Sequence, residues 1–312
     1  MLSQDAVLAT PSHTVRSGPA ASALGLVALS GVDKAVCVDI GGTTTDITLV
    51  ENGFPELEEG FVQDSLHTFY EGVKSLDLSM GGDTRIDEDG LTQRREGDAA
   101  AFGGPYPTPT DALHVLGDFE MGDKEASVDA LSDLGEPQEV ADRVVDEFAS
   151  RIAEGVRELD ESHHSTLVAG GVLAPYFADR IADRVDWIHK TVVPEYARVA
   201  GAVGCAVARV SVKTNVHIDT ARGKMTVASA GPEKVTEVTE GKEYTDIEAR
   251  KMVKREALKA AVDAGGDEDS ETEILSMRKF NVVEKSWVVG QIVDATAQAV
   301  PGINDYFRKG DL

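Results

Sequence analysis

The sequence predicts an α/β chain with a smaller α+β region at its C-terminal end, and three observations carry that prediction. An apolar run at 35–40 reads as a buried strand and returns, after two glycines and three threonines, as a second strand at 47–50. From 137 to 159, Val140, Val144, Val145, Phe148, Ile152 and Val156 recur at helical spacing. A short apolar strand at 165–169 then turns through Gly170-Gly171 into another helix at 173–185. Beyond residue 212 the pattern becomes strand–strand–helix–strand–strand, so the expected division is 1–212 and 213–312.

Taken in order, residues 1–16 read as a lead-in. Ser17 suits an N-cap and Pro19 is tolerated in a first turn. The small and apolar residues of 20–29 predict a helix packed closely on a sheet and stopped by Gly31. The segment Ser17-Gly18-Pro19-Ala20-Ala21-Ser22 reads either as a plain helix start or as a ligand-facing one.

The chain is organised around Val38-Asp39-Ile40-Gly41-Gly42-Thr43-Thr44-Thr45-Asp46-Ile47. A hairpin there would aim backbone N–H groups at an anion. Gly41 and Gly42 remove Cβ atoms that would block a phosphate, and Thr43, Thr44 and Thr45 add hydroxyl donors. Asp39 and Asp46 stand at the two mouths of the turn. An acid beside a phosphate is repelled unless a divalent cation lies between them, so the pairing points to Mg²⁺, with Asp39 orienting the metal or a water and Asp46 in support. The alternative is an ordinary glycine-rich hairpin.

Asn52-Gly53 signals a further hairpin. Residues 75–80 alternate as a strand and lead to Gly81-Gly82-Asp83-Thr84, which reads as a common turn or as a lining of the site. Residues 85–104 read as surface loops with a hairpin, Thr110 as the N-cap of a short helix at 111–116, and 118–138 as a solvated acidic segment. His163-His164 reads as a polar loop, not a metal pair. Strand, Gly170-Gly171, helix is a form that lets a planar ring or a phosphate approach the backbone, or one that needs glycine for packing alone. A helix at 197–210 carries a small-residue face around Gly201, Gly204 and Cys205; close packing has to offset its glycines. In the last hundred residues a hairpin turns at 221–223. Thr245 and Glu248 form a capping box for a helix reaching about Ala264, and two strands follow near 273–284 and 286–296.

Composition bounds the function. Of 312 residues, 42% are hydrophobic, enough for a packed core, and no run of apolar residues is long enough to span a bilayer. With 55 acids against 30 bases the net charge is -25, which excludes a basic stripe for nucleic acid. Cys37 and Cys205 both lie in apolar runs and read as small core residues of a reducing compartment. No basic-then-apolar leader is visible at the start, and the expected compartment is the cytoplasm.

These motifs, in this order, with Thr110-Asp111-Ala112 and Val203-Gly204-Cys205-Ala206, resemble the hydantoinase A/5-oxoprolinase family, which includes a subunit of acetone carboxylase. The resemblance covers roughly residues 10–212. It implies a ribonuclease-H-like half of an actin/hexokinase/Hsp70-type ATPase fold, with ATP and Mg²⁺ as cofactors. It makes the Asp39–Asp46 turn the second phosphate-binding hairpin, Gly170-Gly171 the adenosine-contacting turn and the helix around Gly204 the later connecting helix. The implied activity is ATP-dependent hydrolysis of a cyclic amide of the 5-oxoproline or hydantoin type. The family's earlier Asp-Gly-Gly-Thr turn does not precede Ser17, so the chain resembles a second half that needs a separate N-terminal half or a companion hydantoinase B-type subunit. A small-molecule kinase or activator ATPase of the same fold, and a non-catalytic remnant or interaction module, are the competing readings.

The acids are dispersed along the chain instead of gathered in a tail, the surface a salt-rich cytoplasm favours because salt screens self-repulsion. A halophilic source is expected. The melting temperature is predicted to fall as KCl is diluted from the molar range; a value indifferent to KCl counts against the reading.

Overall fold

Alternation of apolar and polar residues decides which way each strand of the N-terminal unit faces. The computed structural model describes residues 7–8, 11–63, 66–69, 71–229 and 232–304. The chain divides into two compact units, one holding Arg16–Val207 and the other Ala208–Asn304.

Helix α1 (Ser17–Ser30) opens the first unit. Ser17 is its first residue and not its cap. Arg16 takes the cap position with a left-handed backbone, φ 57°, and its guanidinium is tied to the Val73 carbonyl at 2.8 Å, to Glu58 and to the face of Phe61. Those ties fix the entry to the helix without a hydroxyl. Gly31 ends it as expected, left-handed at φ 67° with its N–H on the Val27 carbonyl at 2.9 Å.

Strands β1 (Ala35–Ile40) and β2 (Thr45–Glu51) pair antiparallel, and β3 (Phe54–Pro55) follows through Asn52-Gly53. Both turn residues have positive φ, 55° and 76°, the mirror-image turn that Asn-Gly favours. Strand β4 (Ser75–Leu78) lies on the first half of β2's outer edge and β3 on its second half. A hairpin of β5 (Thr84–Asp87) and β6 (Gly90–Arg95) precedes three helices, α2 (Pro109–Leu116), α3 (Lys124–Ser132) and α4 (Pro137–Leu159). Strand β7 (Thr166–Gly170), α5 (Ala174–Ala182), β8 (Lys190–Val192) and α6 (Ala200–Val207) complete the unit.

Two expectations need correction here. The cap of α2 is Thr108, not Thr110, because Pro109 takes the first helical position, where its missing N–H costs nothing. The acidic segment 118–138 is not merely solvated. Asp123 caps α3 with its carboxylate on the N–H groups of Glu125 and Ala126, and Phe119 and Leu131 are buried.

The sheet runs β8-β7-β1-β2-β3, with β4 also on β2; β7 and β8 are parallel to β1 and β2 is antiparallel to it. Val36, Val38 and Ile40 of β1 and Ile47 and Leu49 of β2 face a core with Phe148 and Ile152 of α4 and Phe177 of α5. Each such side chain removed from water contributes about 1.5–3 kcal/mol. The alternate residues Cys37, Asp39, Asp46 and Thr48 turn to the opposite face, where Ser22 of α1 reaches Asp39. Among the described residues no helix is long and apolar enough to cross a membrane.

The expected small-residue contact is met between α1 and α6. A Cβ on Gly25 would sit 1.8 Å from the Ala200 carbonyl oxygen, and one on Gly204 would sit 1.7 Å from that of Ala21. Cys37 is buried as expected, but Cys205 is exposed, since Gly204 and not its neighbour faces α1.

In the second unit, β9 (Thr214–Asp219), β10 (Lys224–Ala228), β11 (Lys234–Glu237), α7 (Asp246–Asp263), β12 (Thr272–Glu284) and β13 (Trp287–Ala299) form an antiparallel sheet ordered β11-β10-β9-β13-β12 with one helix on it. The capping box at Thr245 and Glu248 is present. Ala249, Val253 and Ala257 of α7 pack on Val216, Ile218 and Val293. Strand β11 is additional to the expected pattern, and its residues are all exposed.

Because only backbone can occupy the α1–α6 contact, Gly204→Ala is predicted to lower stability by about 1–3 kcal/mol, read as a lower urea midpoint at unchanged slope. An unmoved midpoint would mean that the helices do not touch there.

Candidate functional site

The site grows from the β1–β2 register. Ile40 pairs with Thr45, leaving 41–44 as the loop, and Asp39 lies directly opposite Asp46. On the other side of β2, Asp46 lies opposite Asp77 of β4. Three carboxylates therefore stand in a row on one face, across three adjacent strands. Asp77 is absent from the sequence-based site; its strand alternates visibly, but nothing local says that it pairs with β2.

The row is electrostatically loaded. Burial pushes the Asp46 carboxyl up to about 7, and the negative charges of Asp77 and then Asp39 add to the shift. Asp39 is held from below by α1: the Ser22 hydroxyl donates to its Oδ2. Of the Ser17–Ser22 segment, the last residue thus contacts a carboxylate of the candidate site. Beneath Asp39, burial and that charge push the Cys37 thiol up to about 12, so it stays protonated.

The loop is braced from behind by the second glycine pair. Gly82 N–H donates to the Gly41 carbonyl at 2.9 Å and Asp83 N–H to that of Gly42 at 2.7 Å. A Cβ on Gly81 would fall 2.5 Å from the Gly42 carbonyl, so only glycine allows the two backbones to meet. Thr110 in turn donates its hydroxyl to the Gly82 carbonyl at 2.9 Å. Asp111, wholly buried, accepts from the N–H groups of Ala100, Ala101 and Thr108 and from the hydroxyls of Thr108 and Ser127. Burial raises the Asp83 carboxyl against the opposing pull of Arg95, whose Nε lies 3.2 Å away.

Donors remain on the outer side. Thr43 and Thr44 are exposed, and among the described residues neither their hydroxyls nor the N–H groups of Gly42, Thr43 and Thr44 make a hydrogen bond. Thr45 differs: its hydroxyl is buried and donates to the Met80 carbonyl at 2.8 Å, so it braces the turn. Gly170 is the register partner of Asp39 on β7. Gly171 follows with φ 88°, where a Cβ would lie 2.1 Å from the Ile40 carbonyl oxygen. All the expected site residues thus gather where β1 ends and β2 begins.

The Hydantoinase/oxoprolinase family matches residues 1–214. The chain belongs to that family. It is 31% identical over 152 residues to caprolactamase subunit alpha of Pseudomonas jessenii, a stretch covering 40% of this chain and 21% of that protein. Among solved structures, nucleotide-free acetone carboxylase aligns with TM-score 0.62 at 16% identity, over 92% of this chain and 49% of that one. The ATP-dependent caprolactamase of Pseudomonas jessenii aligns with TM-score 0.54 at 17% identity, over 90% of this chain and 48% of that one. The chain spans about half the length of these two structures. The likeness carries the fold, and with the strand order above it bears out the expected ribonuclease-H-like half of an actin/hexokinase/Hsp70-type fold.

For Asp46 the sign of the pH dependence follows from a folded-state pKa above the unfolded one. The folded chain binds the extra proton between the ordinary carboxyl value of 3.8 and about 7, so stability falls as pH rises through that window. Asp46→Asn removes the penalty. In metal-free buffer it is predicted to raise stability at pH 8 by on the order of 1–2 kcal/mol after solvent screening, with the gain vanishing near pH 4. Stability profiles of the two proteins that run parallel across this pH range would refute the raised Asp46 carboxyl.

Proposed function

We propose that this chain is the second phosphate-binding half of an ATP-dependent amidohydrolase that opens a cyclic amide of the 5-oxoproline or hydantoin type. The observation that carries the reading is the set of unspent donors at 42–44 beside a row of carboxylates, on a turn braced by Gly81-Gly82-Asp83. Family membership supports the substrate class, and the caprolactamase relative is named for a cyclic amide. Two structural neighbours are described as ATP-dependent.

In this scheme the N–H groups of Gly42, Thr43 and Thr44 and the two free hydroxyls bind phosphate oxygens. Thr45, Gly81, Gly82 and Asp83 keep the loop in shape. Gly170-Gly171, packed against Leu26 and Ile40, is the adenosine-contacting turn. Ser22 holds one oxygen of Asp39, so the other is aimed to orient Mg²⁺ or a water. Asp46, poised near neutrality, holds a proton at low pH and offers charge at higher pH. Mg²⁺ fits the donors present, because it takes oxygen ligands, keeps most of its water and relieves a crowd of carboxylates. When bound, Mg-ATP would supply a phosphoryl group to the amide oxygen, with ADP leaving, which would activate the ring carbon toward water and release phosphate as the ring opens. The free donors at 42–44 all lie on one turn, which is the basis for proposing a separate N-terminal half or a companion hydantoinase B-type subunit opposite them.

Calorimetry with Mg-ATP at high salt tests this reading, with the chain alone and with the partner encoded beside it. Weak binding alone and tighter binding with the partner are expected. Thr43→Ala with Thr44→Ala is expected to weaken binding about tenfold or more, and Asp39→Asn to abolish phosphate release driven by a cyclic amide. No heat in either condition overturns the nucleotide reading.

A further inference from the structure

At the end of the sheet away from the phosphate turn, two acids and an imidazole converge. Glu51 ends β2, Glu56 follows β3, and His164 leads into β7. Their ligand atoms all lie within 4.8 Å of one another. His164, expected in a polar loop, is wholly buried, while His163 beside it is exposed and stacks on Trp187 with ring centroids 4.1 Å apart.

The ring of His164 is set by a buried acid outside the cluster. Nδ1 lies 2.6 Å from Asp160 Oδ1, and the His164 backbone N–H donates to Asp160 Oδ2 at 2.8 Å. Trp187 Nε1–H donates to that same oxygen at 2.8 Å. Asp160 accepts only, so Nδ1 carries the proton and Nε2 is turned outward. Nε2 then faces Glu51 Oε1 at 3.1 Å, with Glu56 close by. A neutral imidazole would present a lone pair to a carboxylate oxygen, two acceptors face to face. Positive charge has to lie between them, as a second ring proton or as a cation. A cation there would also draw in Glu56, whose ion pair with Lys74 Nζ is long at 3.7 Å.

We propose that Glu51, Glu56 and His164 form a structural site for a divalent transition metal of the zinc type, with Asp160 orienting the imidazole. A carboxylate behind a ligating histidine is the usual support for such a metal. One imidazole nitrogen among the ligands selects zinc-like ions over Mg²⁺ and Ca²⁺. Two lysines compete for the carboxylates: Lys34 Nζ lies 2.6 Å from Glu51 and Lys74 Nζ 3.7 Å from Glu56. Lys34 is 55% exposed, and surface pairs of this kind contribute little, so a metal displaces it at small cost. The bound ion would join the end of β2 to the entry of β7. Those strands flank β1, which carries Asp39.

The full chain, stripped with chelator, dialysed against Zn²⁺ and gel-filtered, should retain one zinc per chain by elemental analysis and melt at a higher temperature than the stripped form. Glu51→Gln and Glu56→Gln change half-exposed side chains and should each weaken zinc binding tenfold or more, with the metal-free melting temperature held. Co²⁺ in place of zinc should give visible absorption bands in the parent that the variants lose. No zinc retained, equal retention by Glu56→Gln, or equal stabilisation by Mg²⁺ overturns the proposal.

Discussion

Register between β1 and β2 is the constraint from which the rest of the site follows. Side chains alternate along a strand, so a slip of one residue would exchange the two faces. Asp39 and Asp46 would then point at Phe148 and Ile152, and Val36 and Val38 would face α1. An unpaired carboxylate buried among such side chains costs several kcal/mol. The apolar residues therefore hold the acids in place without touching them. Once Asp39 faces Asp46, the loop length is set, and the carbonyls of Gly41 and Gly42 fall where Gly82 and Asp83 can donate to them.

Close backbone approach is the second theme, and glycine is its means. Gly81 against Gly42, Gly171 against Ile40, and Gly25 and Gly204 between two helices all meet backbone atoms where a Cβ would overlap. Glycine loses more freedom on folding than other residues, so such contacts persist only where neighbouring packing offsets that loss. Here Leu173 and Thr110 close over Gly82, and the α4 core closes over the sheet's other face.

What was legible in the sequence divides along the same line. The hairpin, the Asn52-Gly53 turn, the bounds of α4 and the Thr245 capping box are local patterns, and each is present. The convergence of Gly81–Asp83 and Gly170-Gly171 on the hairpin followed from motif order within a family. Relations between distant residues were hidden. Asp77 enters the row only because β4 pairs with β2, and Ser22 reaches Asp39 only because α1 lies on that face. His164 looked like a loop residue because Glu51, the acid its Nε2 faces, is far away in sequence. Thr45 looked like a third free donor because the carbonyl that takes its proton belongs to Met80.

The carboxylate row works against folding, and this gives it meaning. Three acids side by side raise one another's energy when ionised, and burial first, then the charges of Asp77 and Asp39, displaces Asp46 toward neutrality. Sites that keep such a penalty are those in which a ligand removes it. A cation at the row would stabilise the fold by an amount that grows with its concentration over its dissociation constant, because the unfolded chain offers no comparable cluster. On the function proposed, nucleotide and metal would then enter a turn shaped in advance by Gly81–Asp83 and relieve the repulsion between Asp39, Asp46 and Asp77. Binding and local order would rise together, through charge alone and without any change of strand register.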